Sequence, residues 1–104
     1  LHSNEFVLEE DTFARDAFIL QNETIGRLEL VNHLSNQVKV RVSADVPAWG
    51  IWSTVDKKAP FVCLEPWYGR CDKEDFEGEL SEREYMQSLE SGEEFTGGYL
   101  MELL

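Results

Sequence analysis

The amino-acid sequence predicts an all-β protein, an antiparallel β-sandwich built as one domain over residues 1–104. Three observations predict this class. Apolar residues recur mostly with a period of two, which is the spacing of a half-buried strand. The apolar runs are short, and residues that favour turns separate them. A chain of 104 residues with 42% hydrophobic residues can form one small domain with a real core.

The clearest element is a hairpin in the first half of the chain. Val38, Val40 and Val42 alternate with polar residues, and residues 27–30 alternate in the same way. The Asn and Ser residues between the two runs favour a turn. The sequence therefore predicts antiparallel strands over residues 25–31 and 37–43, joined by a loop of about five residues.

Further strands are predicted on both sides of the hairpin. The run Phe61–Leu64 is apolar throughout, which predicts a strand that is buried on both faces. A charged turn is expected before it, at residues 56–58. The other predicted strands are residues 5–8, residues 17–20, a weaker one at residues 51–54, and a closing one within residues 95–104.

The region after residue 70 is harder to interpret. Residues 70–81 are acidic and predict a surface loop. Ser81 and Glu84 fit a capping box, which predicts a short helix that runs through Leu89 and ends at Gly92. The alternative is a strand over residues 84–89. The first and last strands would be open edges, so either the sheet closes on itself or another segment completes it.

The charge of the chain argues against several classes of partner. The sequence has 21 acidic and 9 basic residues, a net charge of -12. Such a surface repels nucleic-acid phosphates and anionic lipid headgroups, whereas a neutral sugar meets no long-range repulsion. No apolar run approaches the roughly 20 residues of a membrane-spanning helix. We therefore expect no nucleic-acid partner and no membrane partner.

The cysteines and the start of the chain bear on location and metal binding. Cys63 and Cys71 form neither a disulfide framework nor a zinc motif. The first residues contain no apolar signal segment, so a cytoplasmic protein with reduced thiols is expected. The acidic loop lacks the residue order of a calcium-binding EF-hand. The sequence predicts no metal and no cofactor.

The most unusual stretch is residues 59–69, in which a carboxylate ends an apolar strand. Glu65 is followed at once by Pro66, Trp67 and Tyr68. Desolvation makes a lone carboxylate costly there unless it is hydrogen-bonded or functional. Aromatic faces can pack on the C–H face of a sugar ring while the acid binds its hydroxyls. The run indicates either a sugar-site carboxylate or a buried structural Glu.

This run resembles the C-terminal signature of aldose 1-epimerase-like (galactose mutarotase-like) proteins, in the branch of bacterial LacX-like proteins. Residues 12–17, 48–53 and 89–95 match further segments of that family in the same order, so the resemblance covers nearly the whole chain. It implies that residues 1–104 are the C-terminal part of a large antiparallel supersandwich that holds a sugar in its concave face. It also favours the strand over the helix at residues 84–89.

The resemblance implies a chemistry and a set of site residues. Mutarotation needs one general base and one general acid at the anomeric centre of the sugar. The family's base corresponds to Glu65, and its acid is a His from an earlier region that this chain does not contain. Asp16 corresponds to a sugar-contacting acid, although a turn-capping Asp is an equal alternative. Trp67 either lines the site or fills the core. His2 and His33 do not fit the family's His motif.

Two hypotheses about function follow. In the first, the chain supplies the base-bearing part of an aldose 1-epimerase-like isomerase acting on a hexose such as glucose or galactose, and it is inactive alone. Its partner would then be a missing N-terminal portion. In the second, the chain is a non-catalytic carbohydrate-binding or structural piece that forms a homo-oligomer through its sheet edges.

Overall fold

The computed structural model describes residues 4–21, 24–55 and 59–104, and this part of the chain is all-β, as the sequence predicts. The single helical element described is one 3₁₀ turn at Leu80–Glu82. The strands are β1 (Phe18–Gln21), β2 (Arg27–Asn32), β3 (Gln37–Ser43), β4 (Ala48–Trp52), β5 (Cys63–Trp67) and β6 (Leu100–Leu103).

The six strands form two antiparallel three-stranded sheets. Sheet A has the order β1-β4-β5, and sheet B has the order β2-β3-β6. One core joins them, since Val42 of β3 and Trp49 of β4 are both 1% exposed and belong to the same cluster. Leu20 and Leu64 from sheet A and Leu28 from sheet B pack against that cluster. Side chains from two sheets meeting in one core is the arrangement of a β-sandwich.

The predicted hairpin is confirmed as β2 and β3. Its turn is stabilised by Asn32, whose Oδ1 accepts hydrogen bonds from the backbone N–H groups of Leu34 and Ser35 at 3.0 and 3.2 Å. Asn36 closes the turn with a φ of 61°, in the left-handed region that Asn tolerates. The pairing register shifts between Leu30 and Val31, which marks a bulge near the turn.

Sheet A differs from the prediction in how its strands are buried. β4 is the central strand, and residues 48–51 are buried on both faces. β5 begins two residues after the predicted start, and all five of its residues are only half-buried. The prediction that Phe61–Leu64 is buried on both faces is therefore wrong. β5 is an edge strand, which is also why it accommodates Pro66, a residue without a backbone N–H.

Two other predicted elements are absent from the described residues. Residues 5–8 form no strand, and residues 84–89 form neither the capping-box helix nor the strand. Ser81 lies inside the 3₁₀ turn, whose N-cap is Glu79 without a side-chain hydrogen bond. Tyr85, at a φ of 60°, interrupts any regular element. The predicted charged turn at residues 56–58 lies outside the described residues.

The acidic loop and the closing strand agree with the prediction. Residues 70–81 are mainly exposed, and β6 pairs with β3. Tyr68 connects the two regions because its hydroxyl accepts the N–H of Gly98 at 3.0 Å and its ring meets Phe95 edge-on at 5.0 Å. Tyr68 follows β5 directly, so the segment leading to β6 is fastened to the end of sheet A.

Candidate functional site

Strand alternation and register divide sheet A into a core face and an outer face. Leu20, Trp49 and Leu64 belong to the core cluster or pack against it. Successive residues of a strand point to opposite faces, so the neighbours of these three point away from the core. We call this surface the outer face of sheet A. It consists of Ile19, Gln21, Ala48, Gly50, Trp52, Cys63, Glu65 and Trp67.

Glu65 and Trp67 lie together on the outer face, two residues apart on β5. The indole Nε1 of Trp67 donates a hydrogen bond to Oε2 of Glu65 at 2.9 Å. Both side chains are half-buried. No described residue forms a hydrogen bond with the second carboxylate oxygen, Oε1, which as part of a carboxylate can accept hydrogen bonds. Two of the three residues that the sequence predicts for the site are thus in direct contact.

The position of Trp67 depends on Gly50. Gly50 is opposite Glu65 in the β4–β5 register, and the six-membered ring of Trp67 lies directly against it. A Cβ at position 50 would be 2.5 Å from Cζ2 of Trp67, which is shorter than any real contact. A glycine inside a strand often marks such a close approach. Trp67 therefore extends across the sheet instead of standing away from it.

A polar pair borders the same face. Gln21 of β1 is in the register row that continues through Ala48 to Trp67. Its Oε1 accepts a hydrogen bond from Nη1 of Arg70, which follows β5 by three residues. The Nε of Arg70 is buried and has no hydrogen-bond partner in the described part of the chain. The outer face thus combines a carboxylate, an amide, a guanidinium and an aromatic ring.

Asp16 is not brought against this pair. Glu65 is opposite Gly50, which is opposite Ile19, and Asp16 precedes Ile19 by three residues. Asp16 lies before β1, outside the rows of paired residues that contain Glu65 and Trp67. Asp16 is exposed, and its Oδ1 accepts the backbone N–H of Ala17 at 2.7 Å, which is a local turn contact. Its predicted contact with a sugar stays a prediction.

The remaining candidates for proton transfer and metal binding lie elsewhere. His33 is exposed in the β2–β3 turn of the other sheet, and His2 is outside the described residues. Cys63 is half-buried on the outer face and Cys71 is exposed, and both are free thiols. Within residues 4–21, 24–55 and 59–104, no three His, Cys, Asp or Glu side chains are grouped to hold a metal ion. The same ranges hold no helix with the length and apolar character to span a bilayer.

A depression on the surface of the described residues is separate from the outer face. It has a volume of about 870 Å³ and lies between residues 43–47, residues 24–26 and residues 85–87. It is wide open, and neither Glu65 nor Trp67 lines it. The outer face is the better candidate site, because a site is defined by convergent chemical groups as well as by volume.

Sequence reasoning identified Glu65 and Trp67 but missed Gly50, Gln21 and Arg70. A glycine between Trp49 and Ile51 was a usable signal, since glycine weakens a strand unless another group approaches closely. The Gln21–Arg70 contact joins residues 49 positions apart and has no local signal. No protein-family model, curated protein or solved structure matches this chain. The function must therefore be argued from the site itself.

Proposed function

We propose that the outer face of sheet A binds a carbohydrate, and that Glu65 is the general base of an aldose 1-epimerase-like isomerase. The observation that carries the proposal is the Glu65–Trp67 hydrogen bond. It holds a carboxylate beside an aromatic ring on a face turned away from the core. An aromatic ring can pack against the C–H face of a sugar while carboxylate, amide and guanidinium groups bind its hydroxyls.

In the proposed reaction, Glu65 removes the proton from the anomeric hydroxyl of a hexose. The bond between the anomeric carbon and the ring oxygen then breaks, and the ring oxygen receives a proton from a general acid. Rotation of the resulting aldehyde and closure of the ring produce the other anomer. The Trp67 N–H orients the carboxylate by holding Oε2, which leaves Oε1 for the sugar. The neighbouring Gln21–Arg70 pair supplies donors for further hydroxyls.

The general acid in this proposal comes from outside the described residues. His33, the one histidine among them, is exposed in the β2–β3 turn of sheet B. The chain would thus contribute the base-bearing C-terminal part of a galactose mutarotase-like supersandwich. A preceding N-terminal portion or a partner chain would contribute the acid. The resemblance of residues 59–69 to that family supports this part of the proposal.

The second candidate is a carbohydrate-binding module without catalysis. The observation that favours it is the same one that limits the first: within the described residues, Glu65 has an aromatic neighbour but no acid partner. A carboxylate tied to an indole can hold a hydroxyl without moving a proton. The two candidates share the binding surface and differ in whether anomers interconvert.

Polarimetry of α-glucose and α-galactose, together with calorimetric titration of both sugars, tests the two candidates. In a form that contains the acid, Glu65→Gln should slow mutarotation at least about a hundredfold, as expected for loss of a general base. Glu77→Gln, in the exposed acidic loop, makes the same charge change and should have no effect. Full activity of Glu65→Gln would contradict the assignment of the base.

The binding measurement separates the two outcomes. The module without catalysis predicts two results. Trp67→Ala should abolish sugar binding, and neither this chain nor a longer form of the protein should accelerate mutarotation. If neither sugar binds and Trp67→Ala changes nothing, the outer face is not a carbohydrate site.

A further inference from the structure

The outer edge of β6 is less protected than the other sheet edges. Natural sheets guard their edges with proline, bulges or charges, because an open edge pairs with other strands. β5 contains Pro66, and β2 has the bulge at Leu30 and Val31. At β1, the rings of Phe6 and Phe13 pack around Phe18. β6, with the sequence Leu-Met-Glu-Leu, has no proline and no bulge, and Glu102 is the single charge among its four residues.

The backbone of β6 directs unpaired groups toward this edge. Leu104 donates its N–H to the carbonyl of Lys39 at 2.9 Å. The backbone N–H and C=O groups of the even-numbered residues of β6 therefore point toward β3. In an antiparallel ladder the intervening residues direct their N–H and C=O groups to the other side. The backbone groups of Met101 and Leu103 therefore point outward and are available to another strand.

The side chains of these same residues form an apolar surface. Met101 is opposite Val42 and Leu103 is opposite Val40, so both lie on the inner face of sheet B. Val42 is 1% exposed, whereas Met101 and Leu103 are 54% and 80% exposed. Sheet A covers the centre of this face and does not extend over β6. The apolar inner face thus continues to an edge that another strand can extend.

We propose that β6 pairs with β6 of a second copy of this chain, antiparallel, with the two-fold axis at Met101. In this register Met101 is opposite Met101 of the second copy, and Leu103 is opposite its Tyr99. Met101 and Leu103 direct their backbone groups outward, so these two positions would form hydrogen-bonded pairs with the second copy. Two copies of sheet B then make one six-stranded sheet, and each copy covers the other's exposed Met and Leu side chains.

The charge of β6 disfavours one register of self-pairing and is compatible with the register centred on Met101. A register centred on Glu102 would set two carboxylates directly opposite each other, which is unfavourable. With the axis at Met101, Glu102 is opposite Leu100 of the second copy, and Arg41 of its own chain neutralises it at 3.5 Å. The strand can therefore pair with itself without setting its own carboxylates against each other. The net charge of -12 opposes association, so salt should strengthen the dimer.

Sedimentation velocity of the 104-residue chain over a range of protein and salt concentrations tests the pairing. We expect a monomer–dimer equilibrium that shifts toward dimer as salt rises. Leu103→Lys should weaken dimerisation about a hundredfold, about tenfold for each of the two copies. The reason is that a charge would enter the apolar contact between the two β6 strands. Leu89→Lys alters an exposed leucine outside β6 and should leave the equilibrium unchanged. Leu103 is 80% exposed, so its substitution should not disturb folding, which circular dichroism checks.

Cysteine cross-linking tests the register in a Cys63→Ser, Cys71→Ser background. Met101→Cys should form an intermolecular disulfide, because hydrogen-bonded antiparallel pairs have Cα atoms about 5.5 Å apart, within the range of a disulfide. Leu103→Cys should not, because the two copies of that residue would be about 14 Å apart. A monomer at all concentrations would overturn the proposal, as would a dimer that Leu103→Lys leaves intact. Both residues belong to sheet B, so the outcome is independent of the carbohydrate site.

Discussion

The two sheets bury their apolar side chains in different ways. In sheet B, apolar and polar residues alternate along the strands. The valines of β3 face inward, and Arg41 on the outward face bonds Glu29 at 2.8 Å and Glu102 at 3.5 Å. In sheet A, the central strand is buried on both faces, and Trp67 of the edge strand closes over Gly50. The candidate site lies in sheet A, where the central strand is buried on both faces and Trp67 packs closely against Gly50. The sheet with the regular pattern carries the open edge.

The two sheets differ in how firmly they can hold a chemical group in one orientation. Solvent screens the exposed ion pairs of sheet B, and such pairs contribute little to stability or to the orientation of a group. The Glu65–Trp67 hydrogen bond is part-buried and lies on a close-packed glycine. A side chain whose position is set by packing can orient a substrate better than one that is free to rotate.

The largest difference between the sheets should be seen in the core. Trp49 of sheet A and Val42 of sheet B are both 1% exposed. Trp49→Ala should cost about 3–5 kcal/mol and Val42→Ala about 2 kcal/mol, measured by urea unfolding. If Trp49→Ala does not fold, Trp49→Phe provides the test. It leaves the carbonyl of Ile25 without its 3.0 Å indole partner and should cost about 1–3 kcal/mol. Equal losses for Trp49→Ala and Val42→Ala would contradict the central role of Trp49.

The close approach in sheet A provides the next prediction. Gly50→Ala should destabilise the fold by about 1–3 kcal/mol, because the added Cβ collides with Trp67. The matched control is Gly26→Ala, where a Cβ meets nothing within 4 Å. In the double variant with Trp67→Leu, most of the cost should disappear. A loss that persists in the double variant would mean that Gly50 acts through its backbone and not through Trp67.

The smallest effect is expected on the outward face of sheet B. The pKa of Arg41 is raised above its ordinary value, first by its hydrogen bond to Glu29 and also by the charges of Glu29 and Glu102. A raised pKa favours the charged form in the folded state, so this contribution is complete below the unfolded pKa and constant across neutral pH. Arg41→Met should shift the urea midpoint less than Gly50→Ala does, and less still at high salt. A large shift would contradict the contrast between the sheets.

Sequence patterns predicted the fold best where burial affects one face only. The β2–β3 hairpin was predicted nearly to its bounds, because alternation and the Asn-rich turn agree. The pattern failed for Phe61–Leu64, since an apolar run does not tell a central strand from an edge strand. It also failed at residues 84–89, where Gln87 bonds the carbonyl of Tyr68 at 3.1 Å and helps hold the segment in an irregular path. That contact joins residues 19 positions apart.

The candidate site divides in the same way. The sequence by itself identified Glu65 and Trp67, because a carboxylate followed by proline and aromatics is unusual at the end of an apolar strand. Spacing along β5 then placed both on one face. Only the tertiary structure decided that the face points away from the core, that Gly50 makes room for the indole, and that Arg70 meets Gln21. Local sequence sets which side chains share a face, whereas pairing between distant strands sets what that face meets.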